Sequence, residues 1–222
     1  MLSLGSVISW FNNYRERQMK KRLGYCGKDC NILPRFSCSC PEKVFLEDYT
    51  LVQPGSMFIM AGGTFTLKKW SCLSMNCTII TGNHRSTVGL CQRIVDRYHV
   101  NDIETYVVVG EDCWIGANVT ILAGTKVGRG SIVGACGLLN KVTPPYAVLV
   151  GSPAKIIGAK FTLEQVLEHE SKLYPPEERM SREELEEIFD KYYKGLRTFG
   201  IDSIPNDEMD IVKSHSYMQY KI

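Results

Sequence analysis

The chain has 222 residues, of which 44% are hydrophobic and 23% are charged. This length and composition exclude a disordered chain and predict one compact domain with terminal additions. The formal net charge is only +2, whereas nucleic-acid-binding domains usually carry a concentrated basic excess. The composition therefore favours a small-molecule partner over a nucleic acid.

The nine cysteines are scattered along the chain, and an odd, scattered set is typical of reduced thiols rather than of a disulfide framework. Four of them, Cys26, Cys30, Cys38 and Cys40, lack the usual C-x2-C zinc pairs, so we expect apolar packing and no metal. No stretch reaches the roughly 18 apolar residues that span a bilayer, and nothing resembles a signal peptide. We expect a cytoplasmic protein without stable membrane insertion.

The N-terminal segment, residues 1–23, predicts an amphipathic helix, because apolar residues recur at helical spacing at Leu4, Val7, Ile8 and Phe11. A basic cluster follows, made of Arg15, Arg17, Lys20, Lys21 and Arg22. Two roles stay open at this point: a helix on an anionic membrane surface, or a helix packed on its own domain or on a neighbouring subunit. The short apolar face favours packing.

A six-residue period dominates residues 24–158. Its aliphatic positions are Val109, Ile115, Ile121, Val127, Val133 and Leu139, and upstream Leu67, Leu73 and Ile79 in the same phase. An earlier run, Leu46, Val52 and Phe58, is offset by three residues. The sequence thus predicts a short irregularity near residues 61–63.

One aliphatic residue in every six indicates short flat strands joined by turns. Three such strands close one triangular coil. The aliphatic side chains point inward and stack from coil to coil, while glycine often follows where a larger side chain would crowd the turn. An α/β domain would need helices between its strands, and residues 105–140 show no helical period. The sequence therefore predicts a parallel β-helix, an all-β core of stacked coils.

The repeat is interrupted once, by an excursion at residues 85–104 that has no six-residue pattern, although the phase resumes at Val109. These residues must leave one corner of the coil and return to it. Long excursions from a compact framework are commonly functional. The residues beside this excursion are therefore candidates for the site.

A C-terminal extension, residues 159–222, follows the repeat. Thr162 with Gln165, and Ser181 with Glu184, resemble capping boxes. The apolar face of the second helix is predicted to consist of Leu185, Ile188, Phe189, Tyr192, Tyr193 and Leu196. We expect these helices to cover the open end of the coil, followed by a polar tail over 200–222.

Residues 107–158 carry the pieces C-W-I-G-A-N at 113–118, G-A at 134–135, K-V-T-P-P at 141–145 and G-S-P-A-K at 151–155. Together with T-G-N-H at 81–84, they resemble the hexapeptide-repeat acyltransferases, in particular the maltose/galactoside, xenobiotic and capsular-polysaccharide O-acetyltransferases. The resemblance covers roughly residues 40–158. It implies a left-handed coil, acetyl-CoA as co-substrate and a homotrimer with the donor site between adjacent subunits.

Histidine suits a general base near neutral pH, and of the four histidines only His84 lies where a regular coil meets the excursion. The resemblance implies that His84 is the catalytic base, and we expect its neighbours Asn83 and Arg85 to bind the acceptor. His99 lies inside the excursion and is expected to be structural or to lie at the acceptor mouth. The candidates for the partner that orients His84 are Asp102, Glu104 and Glu111.

The resemblance also implies a set of residues that bind coenzyme A: Trp114, Gly116, Ala117, Gly134, Ala135, Lys141 and Lys155. Small side chains would line the pantetheine groove, and the lysines would meet phosphates. Trp114 fits a groove wall and a packed corner equally well. Val142 stands where the family has an acidic residue, which weakens the match at that corner.

The function expected from these residues is direct transfer of an acetyl group from acetyl-CoA to a hydroxyl of a sugar or polysaccharide precursor. Serine and xenobiotic (antibiotic) O-acetyltransferases are the alternatives with similar chemistry. A γ-type carbonic anhydrase would need three histidine ligands, and a non-catalytic β-helix would leave the position of His84 unexplained.

Overall fold

A computed structural model describes residues 4–205 and 208–209 of the chain. Its helices are α1 (Leu4–Lys20), α2 (Gln92–Tyr98), α3 (Leu163–Leu173) and α4 (Arg182–Tyr192), with 3-10 turns at Pro41–Lys43 and Pro176–Glu178. None of the described helices is long and apolar enough to cross a membrane.

The strands are short. Those that precede the excursion are β1 (Tyr25–Cys26), β2 (Asn31–Ile32), β3 (Ser37–Cys38), β4 (Val44–Leu46), β5 (Leu51–Val52), β6 (Met57–Ile59), β7 (Phe65–Leu67), β8 (Cys72–Leu73), β9 (Thr78–Ile80) and β10 (Gly82–Asn83). The later strands are β11 (Ile103–Glu104), β12 (Val107–Val109), β13 (Trp114–Ile115), β14 (Thr120–Ile121), β15 (Lys126–Val127), β16 (Ile132–Val133), β17 (Leu138–Leu139), β18 (Ala147–Val150), β19 (Lys155–Ala159) and β20 (Arg197–Thr198).

Most of these strands form three faces of a prism, as the six-residue period predicts. Face 1 contains β1, β4, β7, β12 and β15, and face 3 contains β3, β6, β9, β14 and β17. Face 2 contains β2, β5, β8, β13, β16 and β18, and then β19 and β20. Neighbouring strands within the repeat pair in parallel. The predicted parallel β-helix with flanking helices is confirmed.

The aliphatic positions of the period form the core. Each of them is at most 3% exposed, namely Leu46, Val52, Phe58, Leu67, Leu73, Ile79, Val109, Ile115, Ile121, Val127, Val133 and Leu139. Burial of one such side chain is worth about 1.5–3 kcal/mol. The glycines that follow them are needed because the next coil is close: a Cβ on Gly116 would lie 2.6 Å from the Ala135 nitrogen.

The predicted irregularity near residues 61–63 supports the excursion. The core positions Phe58 and Leu67 are nine residues apart, three more than the period of six. The additional residues lie against the segment where the chain leaves and rejoins the prism. A Cβ on Gly63 would overlap the carbonyl oxygen of Thr105, and Thr81 Oγ1 donates a hydrogen bond to the carbonyl of Gly63 at 3.1 Å. Only glycine therefore fits at this contact.

α1 contacts the first coils through one side only. Met19 packs against the core, and Asn12 and Glu16 line a small cavity together with Ile32 and Phe36. Its large apolar residues between positions 7 and 14 are exposed. α1 thus packs on its own domain, but through a side other than the apolar face that the sequence indicated.

The C-terminal helices begin where the capping patterns predict. Thr162 and Gln165 form a complete capping box, and Ser181 Oγ accepts a hydrogen bond from the Glu184 nitrogen at 3.1 Å. In α4, Leu185 is buried and Tyr193 is 4% exposed. Tyr192 and Leu196, which the sequence assigned to the apolar face, are 37% and 43% exposed, because α4 ends at Tyr192 and Leu196 lies beyond the helix. That part of the prediction is wrong.

Ion pairs fasten α3 to the corner between faces 1 and 2. Glu170 is 1% exposed and binds Arg129 at 3.1 Å and the Tyr146 hydroxyl at 2.7 Å. Burial alone would raise the pKa of Glu111. The hydrogen bond from Lys68 and the charge of Arg129 outweigh burial, so the pKa of Glu111 is lowered. The C-terminal extension therefore covers this corner in addition to the last coil, where Tyr193 packs against the hydrophobic core. Of the predicted tail over 200–222, residues 206–207 and 210–222 lie outside the described residues.

The change Gly63→Ala should lower the free energy of unfolding by about 1–3 kcal/mol, the usual cost of overpacking. The measurement is urea-induced unfolding followed by circular dichroism. Thr64→Ala is the matched control, because its exposed side chain is adjacent in sequence and should change stability by less than about 0.5 kcal/mol. Equal stability of Gly63→Ala and the parent would contradict the described contact with Thr105.

Candidate active site at the neck of the excursion

The two ends of the excursion are held together as a short antiparallel pair. Gly82 pairs with Glu104 and Asn83 with Ile103, and the Thr105 nitrogen donates to the Thr81 carbonyl at 3.2 Å. Continuing this register by one residue places position 84 opposite position 102. The neck of the excursion, defined as residues 82–84 and 102–104, therefore brings a histidine and an aspartate face to face.

His84 and Asp102 meet at this neck. His84 Nδ1 lies 2.9 Å from Asp102 Oδ1, and His99 Nδ1 lies 2.7 Å from Asp102 Oδ2. The Asp102 side chain is 12% exposed, His84 is 30% exposed and His99 is 66% exposed. One carboxylate thus bridges two imidazoles, and His84 is the more sheltered of the two.

Asp102 is an acceptor in this arrangement. The hydrogen bonds from His84 and His99 lower the pKa of Asp102 below its ordinary value, so its carboxylate is ionised at neutral pH. An ionised carboxylate can only accept, so Nδ1 of each ring carries the proton. When His84 is neutral, its lone pair is therefore on Nε2, the atom that faces away from Asp102.

A second carboxylate, Asp96 of α2, faces that atom. Asp96 Oδ1 lies 3.4 Å from His84 Nε2, and Asp96 Oδ2 accepts from Arg93 at 3.2 Å. Val95, which is fully buried, anchors α2 beside the neck. The sequence analysis missed Asp96 and α2, because seven residues inside an excursion give no periodicity from which a helix can be predicted.

Of the three candidates for the partner of His84, the geometry selects Asp102. Glu111 lies elsewhere, 2.7 Å from Lys68 and 3.4 Å from Arg129, and the Glu104 side chain is outside the described part of the structure. Asn83 and Arg85, expected at the acceptor site, flank His84 and are exposed. His99, expected to be structural or to lie at the acceptor mouth, shares Asp102 with His84.

The residues expected to bind coenzyme A lie further along the prism. The Trp114 side chain is 52% exposed, so it is not a packed corner residue. Gly116 and Gly134 follow β13 and β16, which pair in parallel, and Ala117 and Ala135 come next at the same corner. A Cβ on Gly134 would lie 2.9 Å from Val150 Cγ1. The small residues therefore line one corner in consecutive coils.

The two lysines both lie beside β17. Lys141 follows β17, at the same corner from which the excursion leaves the prism two coils earlier. Lys155 is close to the same strand, because the nitrogen of its neighbour Ala154 donates a hydrogen bond to the Leu138 carbonyl at 2.8 Å. Both side chains are exposed, and within residues 4–205 neither is part of an ion pair. The two ammonium groups are thus available to an anionic ligand.

His84, His99 and Asp102 are also the described residues whose ligand atoms could hold a metal ion, since these atoms lie within 4.8 Å of one another. The two Nδ1–carboxylate distances are ordinary hydrogen-bond lengths, which explains the cluster without an ion. A γ-type carbonic anhydrase would need a third histidine, and His169 lies elsewhere, 3.0 Å from Asp112. His215 lies outside the described residues.

Comparison with known proteins places this geometry in context. Residues 106–141 match the family described as bacterial transferase hexapeptide (six repeats). The chain is 41% identical over 59 residues to a chloramphenicol acetyltransferase of Klebsiella aerogenes, covering 27% of this chain and 28% of that protein. It is 29% identical over 163 residues to the putative colanic acid biosynthesis acetyltransferase WcaF of Escherichia coli K12, covering 72% and 84%.

A solved structure has the same fold. The hexapeptide-repeat acetyltransferase VCA0836 of Vibrio cholerae, in complex with acetyl coenzyme A, superimposes with a TM-score of 0.57 at 24% identity, over 64% of this chain and 74% of that one. The fold is thus a left-handed parallel β-helix. The match to the bacterial transferase hexapeptide family is confined to residues 106–141, and the match to the Klebsiella enzyme spans only about a quarter of that relative's length.

The lowered pKa of Asp102 predicts how stability depends on pH. A carboxyl group whose pKa is lower in the folded state stabilises the fold above its unfolded pKa of about 4, and the effect is lost as pH falls through the folded value. Asp102→Asn should therefore lower the melting temperature at pH 7, and the difference from the parent should shrink progressively as pH falls below about 4. Differential scanning calorimetry over this range measures it.

Asp96→Asn is the matched control for that measurement, because Asp96 is 49% exposed and 3.4 Å from His84. Its melting temperature should stay closer to that of the parent at pH 7. A constant offset between Asp102→Asn and the parent from pH 7 to pH 3 would contradict the ionised hydrogen-bonded carboxylate.

Proposed function

We propose that this protein is an acetyl-CoA-dependent O-acetyltransferase in which His84 is the general base. The observation that carries the proposal is the contact of His84 Nδ1 with the ionised Asp102 at the neck of the excursion. The relatives named as acetyltransferases support the reaction class, and the acetyl coenzyme A complex of the Vibrio cholerae protein supports the donor.

The proposed chemistry follows from the state of the His84 ring. Asp102 keeps the proton on Nδ1, so neutral His84 accepts the proton of the acceptor hydroxyl on Nε2 as that oxygen attacks the thioester carbonyl. Asp102 then stabilises the imidazolium that forms. Collapse of the tetrahedral adduct breaks the carbon–sulfur bond, and His84 Nε2–H returns the proton to the departing coenzyme A thiolate. The products are the acetyl ester and coenzyme A.

We propose direct transfer, without an acetylated enzyme. A cysteine nucleophile would need a thiolate activated by a base. Burial raises the pKa of the Cys113 thiol to about 12 and that of Cys77 to about 11. Cys91 is exposed on the excursion, but among the hydrogen bonds of the described residues none joins a cysteine to a histidine.

Asp96 indicates where the acceptor hydroxyl binds. A hydroxyl within hydrogen-bond reach of His84 Nε2 must enter the space between this atom and Asp96 Oδ1, which are 3.4 Å apart. Because Asp96 is half-exposed and on α2, a small movement of its side chain admits the hydroxyl. Asn83 and Arg85 flank the same opening and are the proposed acceptor-binding residues.

For the donor, we propose that Trp114 forms a wall and that Gly116, Ala117, Gly134 and Ala135 leave a narrow groove with reachable backbone amides. Lys141 and Lys155 would bind the phosphates of coenzyme A. The mostly exposed side chains of the excursion support a homotrimer, in which a neighbouring copy covers apolar residues that this copy leaves open: Val88, Leu90, Ile94 and Tyr98.

The proposed acceptor is a hydroxyl of a sugar or polysaccharide precursor. The match that covers the largest share of this chain among those described is the one to WcaF, whose name refers to colanic acid biosynthesis. The chloramphenicol acetyltransferase match is shorter and supports a xenobiotic acceptor as the alternative, with serine as the third. Coenzyme A release with saccharides, chloramphenicol and serine separates these acceptors. We propose a cytoplasmic location, where acetyl-CoA is available.

The first test replaces the base. His84→Ala should lower turnover by about 100-fold or more, the usual scale for a positioned general base, while the coil and the affinity for coenzyme A persist because His84 is not part of the core. The measurement is thiol release at saturating acetyl-CoA. His169→Gln is the control, since His169 binds Asp112 away from the excursion, and it should keep the parent's turnover. A folded His84→Ala variant with parental turnover would rule out the assignment.

The second test addresses the donor phosphates. Lys141→Ala and Lys155→Ala should each weaken coenzyme A binding by about 3- to 10-fold and make it less sensitive to salt, because a charge-dominated contact is lost. Isothermal titration calorimetry at two salt concentrations measures both effects. Lys172→Ala, an exposed lysine of α3, is the control and should bind like the parent. Parental affinity in both variants would remove these lysines from the donor site.

A further inference from the structure

α1 leaves large apolar side chains uncovered. The exposed fractions are Val7 47%, Ile8 53%, Trp10 66%, Phe11 51% and Tyr14 49%. At about 100° per residue, these five residues occupy roughly 160° of the helix circumference. We call them the apolar arc. An exposed apolar surface of this kind usually marks an interaction site.

The apolar arc is not the side of α1 that holds the helix to the coil. The residues of α1 that line the cavity against the coil are centred about 110° away around the helix; they are Asn12, Arg15, Glu16 and Met19, and they lie next to Ile32 and Phe36. The helix is therefore attached through its more polar side. Its apolar arc faces outward among the described residues.

Positive charge is concentrated at the same place. Residues 1–23 contain five basic residues and one acidic residue, a formal charge of +4, whereas the whole chain carries +2. The other 199 residues therefore sum to −2. The basic residues follow the apolar arc along the chain: Arg15 lies within its angular range, Arg17 lies at its edge, and Lys21 and Arg22 come directly after the helix.

Contacts within α1 keep its aromatic rings and its cations together. The rings of Trp10 and Tyr14 stack with centroids 5.8 Å apart, and the Arg15 guanidinium lies 5.8 Å from the centroid of Phe11. Glu16, the acidic residue of this segment, pairs with Lys20 at 2.8 Å. The remaining cations beside the apolar arc are thus uncompensated within the helix.

We propose that α1 binds the surface of an anionic lipid bilayer. Trp10, Phe11 and Tyr14 would enter the boundary between headgroups and acyl chains, and Arg15, Arg17 and Lys21 would contact lipid phosphates. Apolar and aromatic residues on one side, with lysine and arginine beside them, are the pattern of interfacial helices. A protein partner that covered the apolar arc would have to supply acidic groups for these cations, because a buried charge without a partner is costly.

Sedimentation of the full chain with lipid vesicles tests the proposal. Binding to vesicles of phosphatidylcholine with about one third phosphatidylglycerol should be at least about 10-fold stronger than binding to phosphatidylcholine alone, and should weaken with salt. Arg15→Gln with Arg17→Gln should lower the partition coefficient about 25-fold, since each cation near the surface contributes about 5-fold. Trp10→Ser with Phe11→Ser should lower it about 10-fold or more.

Lys172→Gln with Lys194→Gln is the matched control, because it removes two exposed charges from the C-terminal extension and should leave vesicle binding unchanged. Circular dichroism should show a folded coil in every variant, since none of these side chains belongs to the core. Equal binding to both kinds of vesicle, or parental binding by Trp10→Ser with Phe11→Ser, would overturn the proposal. A third outcome would also overturn it: the parent protein does not bind vesicles, and light scattering shows an oligomer of the parent that dissociates in the Trp10→Ser, Phe11→Ser variant. The apolar arc would then contact a second copy of the chain.

Discussion

The chain must return to the same corner of the prism after it leaves. Inward stacking of one aliphatic residue in six sets the phase of every coil, and the phase of Ile79 is recovered at Val109. The two ends of the excursion are therefore held within strand-pairing distance. This closure, rather than any local motif, places His84 opposite Asp102.

The proposed chemistry depends on that closure. Asp102 is positioned by the returning strand and accepts from two histidines, which lowers its pKa and fixes the proton of His84 on Nδ1. His84 Nε2, the nitrogen that we propose as the base, then faces Asp96 of α2. The glycine at position 63 belongs to the same arrangement, because the returning strand passes too close for a side chain.

The six-residue period was sufficient to predict the β-helix, the buried positions, the excursion and the position of His84. It could not choose between Asp102, Glu104 and Glu111, because that choice depends on strand register outside the repeat. The α2 helix and Asp96 were missed because seven residues inside the excursion give no periodicity from which a helix can be predicted. Helical spacing correctly indicated α1 and α4, but it did not show which apolar residues are covered: Phe11, Tyr192 and Leu196 are exposed, since burial is decided by what lies opposite each helix.

The central claim is that Asp102 makes His84 Nε2 the basic atom, and the protonation of this ring can be observed directly. Nitrogen-15 NMR of the histidine side chains, recorded on the parent protein at a pH where the imidazole is neutral, distinguishes the two ring nitrogens. We predict that neutral His84 carries its proton on Nδ1, with Nε2 unprotonated. A neutral His84 with its proton on Nε2 would contradict the account, because that ring could not accept the proton of a hydroxyl at the mouth of the excursion.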